Sequence, residues 1–98
     1  MNNYEKKINY LRKKTHSWLI TGVAGFIGSN LLEELLLLNQ KVIGIDDFSK
    51  GSKKNLNDVK KKVSRKQWRN FKFFNSDISK IKNYKKHIGK IDFVLHQA

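Results

Sequence analysis

The stretch Thr21-Gly22-Val23-Ala24-Gly25-Phe26-Ile27-Gly28 decides how this 98-residue chain is read. Before it, Trp18-Leu19-Ile20-Thr21 is a short apolar run that stops at a glycine, which suits a buried strand. After it, Phe26 to Leu38 reads as a helix, with Phe26, Ile27, Leu31, Leu35 and Leu38 as its packed face and Asn39 as its stop. Three glycines thus stand between a strand and the start of a helix. A helix start offers unpaired N–H donors and a partial positive charge, the two things a pyrophosphate needs. Each glycine then has a steric task, because a Cβ would block it: Gly22 the tight turn, Gly25 the approach of phosphate, Gly28 the packing of helix on strand. The N–H groups of Phe26 and Ile27 are the best placed donors. The spacing is G-x-x-G-x-x-G rather than G-x-G-x-x-G, and no G-K-[ST] ending supports a P-loop. A tight turn that binds nothing would use the same glycines, so the surroundings must decide.

Val42-Ile43-Gly44-Ile45 makes a second strand, and Asp46 follows it directly, 24 residues beyond Gly22. A carboxylate there can accept hydrogen bonds from both hydroxyls of an adenine ribose, and it would repel a 2′-phosphate. NAD is therefore favoured over NADP; the alternative is a solvated loop acid. Beyond the loop with Ser49, Gly51 and Ser52, residues 53 to 69 read as mostly helical, anchored by Leu56, Val59, Val63 and Trp68. Phe71 to Phe74 is a third strand, 79 to 88 a third crossover helix, and Ile91 to Leu95 a fourth strand. Strands alternating with helices predict βαβ units and a parallel sheet with right-handed crossovers. The expected architecture is the N-terminal part of a doubly wound α/β sheet, βαβαβαβ, with strand order 3-2-1-4 around the adenosine half of the dinucleotide. Phe93-Val94-Leu95 suits a strand buried on both faces. Residues 1–16 form a basic leading helix, with Tyr4, Ile8 and Leu11 at helical spacing, and residues 17–98 a partial NAD(P)-binding domain.

Composition sets limits on other functions. An apolar share of 39% is enough for a core, and no apolar run nears the roughly 20 residues of a membrane span. No signal peptide is legible, and the absence of cysteine excludes disulfides and thiolate metal sites, which fits a cytoplasmic address. The net charge of +13 divides into +4 over residues 1–16, −3 over 17–49 and +12 over 50–98. The cations are mostly lysines, and arginine occurs only at Arg12, Arg65 and Arg69. Scattered lysines read as solvated faces, so neither nucleic acid nor membrane is the expected partner. His16 and His87 read as solvated, His96 as a structural position, and no acid–histidine spacing suggests a metal site.

The run Trp18 to Glu33, through Gly22-Val23-Ala24-Gly25-Phe26-Ile27-Gly28, resembles the extended short-chain dehydrogenase/reductase superfamily, the NAD-dependent epimerase/dehydratase group, whose domain is of Rossmann type. So do Asp46-Asp47-Phe48-Ser49-Lys50-Gly51, Asn75-Ser76-Asp77-Ile78 and Asp92-Phe93-Val94-Leu95-His96-Gln97-Ala98. Within that group the pattern is most similar to bacterial UDP-N-acetylglucosamine 4-epimerases of surface-polysaccharide pathways. The resemblance implies that Phe26 and Ile27 contact the pyrophosphate and Asp46 the adenosine ribose. It implies that Asp47, Ser49 and Gly51 line the adenosine side, and that Asp77 and Ile78 meet the adenine, Asp77 accepting from its amino group. Gln97 and Ala98 would flank the cofactor nearer the nicotinamide ribose. The group usually has Asn at Asp47 and Gly at Ser76, two departures that would weaken binding.

The group's proton chemistry belongs to a Tyr-x-x-x-Lys pair beyond the fourth strand, and it acts on a UDP-sugar with NAD as hydride acceptor. The literal match Tyr10-Leu11-Arg12-Lys13-Lys14 precedes the first strand and is expected to be fortuitous. The resemblance therefore implies a truncated epimerase segment, inactive alone, marginally stable, and prone to self-association through an exposed sheet edge. The alternatives are a segment of another NAD-dependent sugar dehydratase or decarboxylase, and, from a different class, a small basic nucleic-acid-binding protein.

Overall fold

Four short runs rich in β-branched and aromatic residues form the strands of the computed structural model: β1 (Ser17–Thr21), β2 (Lys41–Asp46), β3 (Phe71–Asn75) and β4 (Phe93–His96). The structure describes residues 6, 14–76 and 89–97. All pairings are parallel and the order is β3-β2-β1-β4, as the alternation predicted. Ile20 on β1 lies beside Gly44 on β2 and Leu95 on β4, and Gly44 lies beside Phe73 on β3. Between the strands run α1 (Phe26–Leu37), α2 (Lys53–Lys62) and the short α3 (Arg65–Trp68). Of the predicted leading helix, residue 6 is helical and residues 14–16 are not, while its other residues and the whole third crossover helix fall outside the described residues.

The main core joins Ile20 and Val42 of the sheet to Leu32, Leu35 and Leu36 of α1 and Leu56 and Val59 of α2. Leu19, Ile43 and Ile45 form a smaller cluster on the other face of the sheet. Strand residues alternate between faces, so these two sets follow from the period of two. Gly44 sits where no side chain fits, since an ideal Cβ would come 2.6 Å from Val23 Cγ1 and 2.7 Å from Phe71 Cε1.

Three expectations need correction. The buried face of α1 is Gly28, Ser29, Leu32, Leu35 and Leu36, while Phe26 and Ile27 are 78% and 61% exposed. The helix is turned so that its side-chain-free residue meets the turn before it, and leucines on nearly every side hide that phase. Residues 53–69 are two helices, because Ser64 starts α3 with a reciprocal cap: its hydroxyl accepts from Gln67 N, and Gln67 Oε1 accepts from Ser64 N. Phe93 and Val94 are 42% and 59% exposed, not buried on both faces, since β4 is an edge strand among the described residues and no described helix covers these two side chains in either core. Asn39 does end α1 in the left-handed region, at φ 59°.

Gln40, which the sequence reading passed over, is fully buried and ties the chain before β1 to the domain. Its Oε1 accepts from His16 N at 2.9 Å and Trp18 Nε1 at 3.0 Å, and its Nε2 donates to Lys14 O at 2.9 Å. Gln40→Leu keeps the volume and strands these donors, each worth about 1–3 kcal/mol when left unpaired in the interior. We expect a loss of about 2–4 kcal/mol in urea denaturation, with an unchanged slope. His16 is accordingly not solvated: its ring meets Phe93 edge-on at 5.4 Å, and Nδ1 lies 3.6 Å from Asp92 Oδ2.

Asp92 closes the same end of the sheet by accepting from Ser17 N at 2.8 Å. That bond, aided by Lys90 and His16, holds its carboxyl below the usual 3.8. A depressed folded value means the stabilisation is complete above about 3.8 and is lost as pH falls through the lower value. Urea midpoints measured from pH 2.5 to 6 are expected to show an acid limb below that value that is shallower in Asp92→Asn.

Candidate functional site

The glycine turn stands on the end of β2. Gly22, at φ 73°, donates its N–H to Ile45 O at 2.8 Å, and Val23 N follows to the same oxygen at 3.3 Å. A positive φ is the reason for glycine here. Gly25 N then donates back to Gly22 O at 3.1 Å, and Gly25 becomes the N-cap of α1. No side chain caps this helix and no acid stands in its first turn, so the positive end is left open. Gly25 and Gly28 keep the approach bare: a Cβ would come 3.3 Å and 2.2 Å respectively from Gly22 O. Gly28 therefore lets the helix close on the turn itself, just past the strand on which it was expected to pack.

The peptide of Ala24 is held from both sides. Its N–H donates to Asp46 Oδ2 at 2.8 Å, and its carbonyl accepts from Ser52 N at 3.0 Å and Asn55 Nδ2 at 2.9 Å. Gly51 passes so close that a Cβ would sit 2.4 Å from Ala24 C. Ser52, Asn55 and Phe48 escaped the sequence reading because their contacts are set by the fold. The available signal was the Ser52-x-x-Asn55 spacing, which starts α2, with Ser52 Oγ accepting from Asn55 N at 3.3 Å.

Asp46 is 8% exposed and is no solvated loop acid. Besides Ala24 N, it accepts from Phe48 N through Oδ1 at 2.7 Å. Phe48 takes a left-handed φ of 61° to make that bond, and its ring rests 5.4 Å from Phe73. Both carboxylate oxygens are thus engaged by backbone, and each keeps a second acceptor direction. Asp47 points into solvent and accepts from Ser49 N at 2.9 Å, which together with the Ser49 hydroxyl holds its carboxyl below 3.8.

A cleft of about 300 Å³ opens at this end of the sheet, beside the place where the chain order reverses between β1 and β4. It brings together Gly22, Gly25, Asp46, Asp47, Ser49, Gly51 and Gln97 from the expected set, and adds Ile45, Lys50 and Ser76. Phe26, Ile27 and Gly28 do not line it; they form the first turn of α1 beside Gly25. Asp77, Ile78 and Ala98 lie outside the described residues, as do all three tyrosines, Tyr4, Tyr10 and Tyr84. Among the described residues, no three His, Asp or Glu side chains are grouped to hold a metal, and no helix is long and apolar enough to cross a membrane.

Thr21 and His96, next in sequence to the cleft residues Gly22 and Gln97, join β1 to β4. Thr21 Oγ1 lies 2.7 Å from His96 Nδ1 and accepts from Gln97 N at 3.2 Å. His96 Nδ1 and Gln97 N both meet Thr21 Oγ1, which joins the end of β4 to β1 where Gln97 enters the cleft.

Fold and cleft define a doubly wound α/β domain with a glycine cradle at its first crossover, the architecture of the NAD-dependent epimerase/dehydratase group. Residues 19–98 match the GDP-mannose 4,6 dehydratase family, and the chain belongs to it. It is 49% identical over 41 residues to the UDP-glucose 4-epimerase of Mycolicibacterium smegmatis, covering 42% of this chain and 13% of that protein. Its structure is similar to the UDP-Glc/GlcNAc 4-epimerase of Campylobacter jejuni, with a TM-score of 0.67 and 34% identity over 85% of this chain and 24% of that one. It is likewise similar to the UDP-glucose 4-epimerase of Bifidobacterium longum solved with NAD+ and UDP, with a TM-score of 0.69 and 27% identity over 84% of this chain and 24% of that one. The chain thus spans about a quarter of the length of these two solved proteins.

Proposed function

We propose that the cleft binds NAD, with the diphosphate on the first turn of α1 and the adenine ribose on Asp46, as the cofactor-binding part of a nucleotide-sugar 4-epimerase. One observation carries this reading: the uncapped start of α1 and the fixed carboxylate of Asp46 stand at one cleft whose glycines leave no side chain in the way. The residues fit the group chemically. The bare N–H groups of Phe26 and Ile27 suit an anion, and the unused acceptor directions of Asp46 suit a sugar diol. Bound there, the nicotinamide would accept a hydride from the sugar and return it. The part of this chain is to bind and orient: Asp46 fixes the ribose, Ala24 fixes the turn, and Gln97 flanks the nicotinamide side. Asp77, Ile78 and Ala98 complete the cofactor contacts in this reading. Work with NAD and a nucleotide sugar, from a chain without cysteine, fits the cytoplasm.

Support for a UDP-sugar as substrate comes from the relatives, several of which are UDP-glucose or UDP-Glc/GlcNAc 4-epimerases. The matched family's own description, a GDP-mannose 4,6 dehydratase, favours a second reading in which the same cofactor site serves the loss of water from a sugar. Titration calorimetry on the folded chain tests the cofactor assignment. Binding of NAD with a Kd below 1 mM, at least about tenfold tighter than NADP, is expected. A folded sample that gives no heat with NAD would overturn it. Once the catalytic segment expected beyond β4 is joined to this chain, proton NMR after incubation with UDP-N-acetylglucosamine or UDP-glucose separates the two readings, through a C4 epimer in the first and a keto-deoxy sugar in the second.

A further inference from the structure

Some of the cations that looked scattered in the sequence are brought together by the fold along two grooves. Between Lys50 and Lys72 the chain carries ten lysines and arginines against the single acid Asp58. Leu56 and Val59 face the core, so α2 turns its lysines outward. Between α2 and α3 lies an open groove of about 710 Å³ whose walls include Lys60, Lys61, Arg65, Arg69 and the half-buried Trp68, with no acid among its lining residues. Arg69 also lines a second cleft, of about 400 Å³, with Lys41, Lys72 and Lys90 at the opening ends of the strands. This too has no acid among its lining residues. The two therefore form one basic track through Arg69, at the opposite end of the sheet from the glycine turn. Only Lys62 of α2 is paired with a described carboxylate, Glu33, at 3.6 Å.

From this arrangement we infer that the α2–α3 side is a second binding surface, for a single-stranded nucleic acid chain, separate from the cofactor cleft. Concentrated like charge repels itself and destabilises the compact state, and a phosphodiester chain relieves that repulsion. A groove walled by cations tracks a phosphodiester backbone, and Trp68, packed inward on Phe71 at 5.2 Å, stands in its wall beside the path a base would take. A membrane fits less well. The large exposed apolar side chains among the described residues are Phe26, Ile27, Leu37, Phe93 and Val94, and none lines the track. With Leu56 and Val59 committed to the core, α2 has no apolar face to lay into lipid.

The test is fluorescence anisotropy of a labelled twelve-nucleotide oligo(dT) with the full chain at 50 to 300 mM KCl. Binding is expected to weaken with salt at a log–log slope of about −2 to −4, as three to five neutralised phosphates require. Lys60→Glu/Arg69→Glu should weaken binding at least tenfold more than Lys53→Glu/Lys54→Glu, a variant of identical net charge altered outside both grooves. The oligonucleotide should quench tryptophan emission in the wild-type chain and not in Trp68→Phe. Saturating NAD should leave the oligonucleotide affinity unchanged. Equal losses in the two charge variants would reduce the effect to net charge and sink the proposal. So would competition by NAD, no binding at 50 mM KCl, or binding only to phosphatidylglycerol vesicles.

Discussion

Gly28→Ala is expected to lower the melting temperature by about 10 °C and to weaken NAD binding at least tenfold. Two effects oppose each other at this position. Alanine is the better helix former, by about 1 kcal/mol in a helix interior and less within the first turn. Against that, the new methyl group would lie 2.2 Å from Gly22 O and 3.0 Å from both Gly22 C and Val23 Cα. These are backbone atoms, and Gly22 and Val23 are themselves held to Ile45 O, so the turn must move by about 1 Å or the helix must lift away. Overpacking against a fixed partner costs about 1–3 kcal/mol, which exceeds the propensity gain. A net loss near 2 kcal/mol corresponds to about 10 °C in a domain this small. The binding loss follows from the same movement, because the N–H groups that would meet the diphosphate belong to the displaced turn. Gly89→Ala serves as the comparison, since Gly89 has φ +71° with open space around it. It should cost about 1 kcal/mol for the left-handed backbone and leave NAD affinity unchanged. Differential scanning fluorimetry and calorimetry on both variants check the pair.

The strands, the glycine turn and the acid after β2 were legible because each depends on residues close together in sequence, and the strand order followed from the alternation of strands and helices, although β1 pairs with β4 across 75 residues. A strand, a turn that needs a positive φ at Gly22, and a helix start are local events. The phase of α1 was not legible. Leu31, Leu32, Leu35, Leu36, Leu37 and Leu38 give it apolar residues all round, and the packing of Gly28 on Gly22 O picks the face. The break at Val63 and Ser64 was legible in principle, as the Ser64-x-x-Gln67 cap. The clamp on Ala24 was not, because Asn55 reaches it across 31 residues. Nor was the place of Arg69, which lines one groove with Lys60 and another with Lys90, the second only once β3 and β4 take their places. What sequence shows at the cleft is thus the part proposed to touch the cofactor, and what it hides is the part that holds the first part still.

That division is sharpest at Asp46, and Asp46→Asn is expected to weaken NAD binding at least about a hundredfold while lowering stability by about 2–3 kcal/mol. In the usual view of such an acid its value lies in the ribose alone, and an amide would keep half of it. Here both oxygens already receive backbone N–H groups, Ala24 at 2.8 Å and Phe48 at 2.7 Å. An asparagine has one oxygen and one NH2 group, so in either orientation a donor faces a donor. One buried N–H then goes unpaired, at about 1–3 kcal/mol, and Ala24 or the Phe48 turn must move. Binding suffers twice, through a displaced glycine turn and through the lost charge-assisted bond to the ribose, itself about 1.5–3 kcal/mol. Asn55→Ala separates the two contributions. It frees one bond to the Ala24 carbonyl, leaves Ser52 N in place, and touches no ribose contact. Its expected effect is a threefold to tenfold loss of NAD affinity with the preference over NADP intact, whereas Asp46→Asn should shrink that preference because the carboxylate that repels a 2′-phosphate is gone. Calorimetric titrations with both dinucleotides, on samples shown folded by circular dichroism, decide it. If Asp46→Asn bound NAD within threefold of the wild-type chain, neither the clamp nor the ribose contact could stand.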